Sequence, residues 1–83
     1  MFEIIWSDSA AGQLKKLDRS VGRRIYEAVG RLAGDPFHNV IKVVGSDDFR
    51  FRIGDFRVFF KVENTPGPRI MITKVDKRDS AYD

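Results

Sequence analysis

Residues 49–60 read FRFRIGDFRVFF, five phenylalanines and three arginines in twelve positions around a central Gly54-Asp55. No other stretch limits the fold as tightly. Gly at the first central position of a two-residue loop suits the II′ turn that joins twisted antiparallel strands. The turn sets the register: Ile53 opposite Phe56, Arg52 opposite Arg57, Phe51 opposite Val58, Arg50 opposite Phe59, Phe49 opposite Phe60. Because side chains alternate along a strand, one face then carries Phe49, Phe51, Ile53, Phe56, Val58, Phe60 and Val62. The other carries Arg50, Arg52, Arg57, Phe59 and Lys61. The first is a core face. The second is a basic plate with one aromatic in it, and the like-charge pair Arg52–Arg57 costs sheet stability unless solvent or a bound anion relieves it.

The rest of the chain must supply a cover for the apolar face. Phe2–Trp6 (FEIIW) reads as a strand bounded by Ser7-Asp8-Ser9, which can cap a helix. SAAGQLKKLD places Ala11, Leu14 and Leu17 on one side of a short helix. From Arg19 to Ala33, Val21, Ile25, Ala28, Val29 and Leu32 recur at helical spacing, with Arg23, Arg24, Glu27 and Arg31 on the polar side and Gly34-Asp35-Pro36 as the stop. Phe37–Asp48 is a connection with a brief extended piece at Val40–Val44. After the hairpin, Asn64–Pro68 is a loop, Arg69–Val75 (RIMITKV) a third antiparallel strand, and the polar tail from Asp76 a candidate helical turn. The expected fold is α+β, β-α-α-β-β-β, with two N-terminal helices packed on one face of a small, mainly antiparallel sheet in a single domain, 1–83.

Charge points the same way. Residues 1–48 hold seven Lys/Arg against seven Asp/Glu and residues 49–83 hold eight against five, so the net charge of +3 lies wholly in the second half. A one-sided basic surface suits a polyanionic or acidic partner, and equally a solvated face. The chain has no cysteine, which removes disulfides and thiol chemistry. The N-terminal run carries no basic leader and is too short for a signal peptide or a span, so a cytoplasmic location is the simplest expectation. His38 is the single histidine and no acidic pair has ligand spacing, so neither a metal nor another cofactor is expected. Gly45 and Gly54 do not compose a phosphate-binding glycine loop.

Basic residues, glycine and aromatics together invite comparison with an RNA-recognition sheet, but base-stacking aromatics must be exposed, and the register turns four of the five phenylalanines inward. Arginine here contacts phosphate rather than reading bases. One further grouping stands out: Arg78 and Tyr82 lie four residues apart, so one helical turn brings them to the same side. Cleavage of RNA by its own 2′-hydroxyl needs cations to hold developing negative charge and groups that move two protons. Arg50, Arg52, Arg57 and Arg78 meet the first need; Tyr82 is the proton carrier of the set, since an arginine does not deprotonate. The plainer alternative, with Tyr82 packed on the sheet edge and the arginines solvated, is open on spacing alone.

The whole chain resembles the RelE/ParE superfamily of small prokaryotic toxins. The resemblance rests on the first strand FEIIWS, the K-K-L-D junction at Lys15–Asp18, the string RFRIGDFRV at Arg50–Val58 within its strand pair, and a terminal K-R-x-x-x-Y at Lys77, Arg78 and Tyr82. It implies a RelE-like fold and, on the RelE branch, a toxin of a toxin–antitoxin pair that cuts mRNA in the ribosomal A site without a metal. The implied catalytic residues are Arg52, Arg57, Arg78 and Tyr82. Arg50, Phe59, Lys61 and Lys77 would bind RNA, Lys77 standing in if Arg78 is displaced. Lysines are common in such sites where this chain has Arg50 and Arg52. The implied partners are the ribosome, mRNA and a cognate antitoxin whose amphipathic segment wraps the toxin, with a heterotetramer as one assembly. The ParE branch shares the fold and inhibits DNA gyrase instead. A silent member that only binds antitoxin or nucleic acid is the third alternative.

Overall fold

The computed structural model describes residues 1–37, 40–64 and 67–77. Its elements are β1 (Glu3–Trp6), α1 (Asp8–Lys15), α2 (Arg19–Gly30) with a 3-10 turn at Arg31–Ala33, β2 (Val40–Lys42), β3 (Phe49–Ile53), β4 (Phe56–Glu63) and β5 (Arg69–Lys77). The expected order holds with one addition, since the extended piece of the connection is a short strand, β2. The sheet order is β1-β5-β4-β3-β2, antiparallel throughout except where β1 runs parallel to β5. β5 continues through Asp76 and Lys77, where the sequence predicts the start of a helical turn; the rest of that tail, His38 and the Thr65-Pro66 part of the loop lie outside the described residues.

Local chemistry accounts for the helices. The Ser7 hydroxyl accepts the Ala10 N–H at 3.0 Å and so caps α1. Ala10 is the residue α1 buries most completely, rather than the expected Ala11, while Leu14 and Leu17 pack at its margin. On α2 the expected stripe is the observed one: Ile25, Ala28, Val29 and Leu32 are buried and Val21 packs beside them. These residues lie on Ile53, Val58, Phe60, Ile70, Ile72 and Val75 of the sheet. Phe60 has no exposed surface, and burying a side chain of that size contributes about 2–3 kcal/mol.

The hairpin register matches expectation pair for pair, from Ile53–Phe56 out to Phe49–Phe60. Gly54 takes φ +56°, the left-handed region where a Cβ is strained, and the Arg24 guanidinium lies 3.4 Å from where that Cβ would stand. The β4–β5 ladder is less regular. Val58 faces Val75 and Phe59 faces Lys74, but Phe60 faces Ile72, so Thr73 is an extra residue in a bulge. Its hydroxyl donates to the Phe59 carbonyl at 3.2 Å. At the free edge beyond β1, the Val75 N–H donates to Gln13 Oε1 of α1 at 2.7 Å.

Candidate nucleic-acid interface

With both helices on the Phe60 side, the opposite face of the sheet is left open. Rows of side chains cross it. One row runs Ile41, Arg50, Phe59, Lys74 over β2, β3, β4 and β5; the next runs Arg52, Arg57, Asp76 over β3, β4 and β5. The three hairpin arginines are thus gathered as the alternation demanded.

Each is held differently. Arg52 is exposed and its Nε donates to the Gly54 carbonyl at 3.3 Å, which draws the guanidinium toward the turn. Arg57 is half-buried, and its Nε is shielded from solvent with no hydrogen-bond partner among the described residues. A shielded donor left without an acceptor carries a desolvation cost. Arg50 is half-buried and stands beside Phe59 in its row.

The other predicted residues divide. Phe59 is half-buried, with the Lys74 ammonium 5.7 Å from its ring centroid, within cation–π range. Lys61 lies on the open face but is paired with Asp48 Oδ1 at 2.9 Å. Hydrogen bonds from Lys61 and Ser46 hold the Asp48 carboxyl below its ordinary range, and the same Asp48 contact raises Lys61. Lys61 is therefore a neutralised cation at the rim. Lys77 stands opposite Phe56, on the helix side of the sheet, so the structure does not bring it to the plate. Arg78 and Tyr82 lie outside the described residues. Lys77, which precedes them, ends β5 beside the hairpin corner, the end where Arg52 and Arg57 sit.

Sequence reasoning missed two residues. Lys74 and Asp76 of β5 join the open face, and their side chains approach to 3.6 Å. Strict alternation from Ile70 and Ile72 would send both inward; the bulge at Thr73 reverses the parity. The signal was present in RIMITKV, where Val75 is apolar but out of step with the two isoleucines.

The chain's relatives can be compared with this geometry. A family model described as the ParE toxin of type II toxin–antitoxin systems, parDE, matches residues 4–82. Among solved structures, the fold is similar to a RelBE toxin–antitoxin complex from Mycobacterium tuberculosis, at 21% identity and TM-score 0.82 over 93% of this chain and 98% of that one. It is similar to an archaeal RelE–RelB complex from Pyrococcus horikoshii, at 27% identity and TM-score 0.81 over 95% and 97%. It is also similar to the isolated E. coli RelE toxin, at 15% identity and TM-score 0.82 over 99% and 92%. No curated protein sequence matches. A family match over nearly every residue, on a fold that agrees at this level, is decisive: the chain belongs to the ParE toxin family, within the RelE/ParE superfamily of toxins from type II toxin–antitoxin systems.

Proposed function

We propose that this toxin is a ribosome-dependent mRNA endoribonuclease of the RelE type that stops translation without using a metal. The observation that carries the reading is the open-face arginine group, above all Arg57, whose shielded Nε has no partner among the described residues. Arg52 and Arg57 bind the scissile phosphate and stabilise the charge that develops on it. Arg50 and Phe59 contact the flanking nucleotides. Arg78 stabilises the transition state or leaving group, and Tyr82 handles a proton or stacks on a base. Lys61 is a weaker RNA contact, because a phosphate must compete with Asp48 for it. With few catalytic groups of its own, the toxin relies on the ribosome to orient the message.

The similar structures from Mycobacterium tuberculosis and Pyrococcus horikoshii are both described as complexes of RelE with RelB, which supports a cognate antitoxin as the resting partner here. No helix among the described residues is long and apolar enough to cross a membrane.

The test is cleavage of a defined mRNA in a translating mixture, with metal chelated except for the magnesium that ribosomes need. Wild type should cut at fixed positions, and Arg57→Ala should lose at least about a hundredfold in rate, as removal of a transition-state donor does, with an unchanged melting temperature. Wild-type cutting by Arg57→Ala would remove the assignment. The ParE description of the matching family favours one second reading, a gyrase-directed toxin without nuclease activity; it predicts DNA damage in expressing cells and intact message.

A further inference from the structure

The arginine plate can hold a phosphate but cannot move a proton, because guanidinium stays protonated at any pH a protein survives. Cleavage by the 2′-hydroxyl needs two proton transfers, one from the attacking oxygen and one to the leaving 5′-oxygen. Other groups on the open face must make them. Its carboxylates are not equivalent. Asp48 is engaged by Lys61 at 2.9 Å and by the Ser46 hydroxyl at 2.9 Å. Glu63 lies 3.1 Å from Arg69 Nε at the far end of the sheet. Asp76 stands directly across from Arg57, and its one ion pair among the described residues is the looser 3.6 Å contact with Lys74. The lysines divide in the same way: Lys61 is engaged, whereas the Lys74 side chain is 53% exposed and lies over Phe59, one row from Arg57.

Resting on the nuclease reading, we propose that Lys74 and Asp76 are catalytic residues, the proton-transfer pair of this face. As the 2′-oxygen forms its bond to phosphorus, its proton passes to the Asp76 carboxylate. As the P–O5′ bond breaks, the Lys74 ammonium gives a proton to the 5′-oxygen. The products are a 2′,3′-cyclic phosphate and a 5′-hydroxyl, with Asp76 left protonated and Lys74 a neutral amine. Transfer of that proton from Asp76 to Lys74, which neighbour each other at rest, restores the starting pair without any co-reactant. Arg52 and Arg57 hold the phosphoryl oxygens meanwhile. The bulge at Thr73 puts both groups on the arginine side of the sheet, which gives it a chemical purpose beyond local twist.

The experiment is single-turnover cleavage on translating ribosomes by wild type, Arg57→Ala, Asp76→Asn, Lys74→Arg and Tyr82→Phe, with melting temperature and ribosome co-sedimentation measured for each. Lys74→Arg keeps the charge and the stacking on Phe59 but cannot give up a proton. Asp76→Asn and Lys74→Arg should each slow the chemical step by about 10²–10⁴-fold at unchanged ribosome binding and melting temperature. The double variant should be little worse than either single one, as groups acting as a unit behave. Asp76→Glu should recover part of the rate. Wild-type rates in Asp76→Asn and Lys74→Arg beside a dead Arg57→Ala would overturn the pair and leave the nuclease standing, and loss confined to Tyr82→Phe would hand the proton to the phenol. A faster Asp76→Asn would mean that the carboxylate only repels RNA. No cutting by wild type would take down the nuclease reading and the pair with it.

Discussion

Strand β4 has two neighbours, and they are joined to it by different physics. On the β3 side a two-residue turn at Gly54-Asp55 sets the register, and every facing pair follows from it out to Phe49–Phe60. On the β5 side a longer loop leaves the register to be chosen by what must be buried. Ile70, Ile72 and Val75 all face the helices, and no strand of strict period two can present those three together. The ladder yields by one residue at Thr73. Local rules thus decide the hairpin, while the core decides β5.

The largest effect separating these two controls is expected at Phe60, which sits at the point where they meet. Phe60→Ala should destabilise the domain by about 3–5 kcal/mol, the usual cost of a large aromatic lost from a packed core. In a fold of this size that removes much of the cooperative unfolding transition followed by circular dichroism; a melt within a few degrees of wild type would mean that the core does not enforce the bulge.

A smaller perturbation asks who holds the bulge in place. Thr73→Val keeps the shape of the side chain but deprives the Phe59 carbonyl of its 3.2 Å donor, at a cost of about 1 kcal/mol. Cross-strand proton contacts by NMR should still pair Phe59 with Lys74, because Ile72 and Val75 must remain inside. A shift to a Phe59–Thr73 pairing would show that the hydroxyl, not the core, sets the parity.

The smallest effect concerns the rim of the plate. Asp48 has a lowered pKa in the fold, so its contribution to stability is present above the ordinary carboxyl value of 3.8 and is lost as pH falls through the lowered one. Lys61 is raised, so its contribution is present below 10.5 and is lost as pH climbs through the raised value. Both groups are solvent-screened and the gain is slight. Urea midpoints should be flat across neutral pH, with a shallow acid decline that Asp48→Asn reduces; an equal decline in that variant would assign it to other carboxylates.

Much of this was legible before any coordinates. The helical stripe from Val21 to Leu32, the α+β order and the gathering of Arg50, Arg52 and Arg57 all depend on spacing within one element or across one tight turn. The strand at Val40–Lys42 showed only as an extended piece, since three residues carry too little alternation to declare a partner. Lys61 read as a free cation because its neutralising partner, Asp48, lies thirteen positions earlier in the chain. Lys77 read as a stand-in for Arg78 because it adjoins it, whereas pairing with Phe56 turns it to the helix side.

Composition and periodicity by themselves determined that one face of the hairpin must be covered and that the other must stay wet and basic, because alternation in a strand and the positive φ of Gly54 are local matters. The tertiary structure alone decided which groups from β5 meet the arginines. That choice turns on burying Ile70, Ile72 and Val75 against helices that lie far away in sequence, and it delivers Lys74 and Asp76 to the side that carries Arg57.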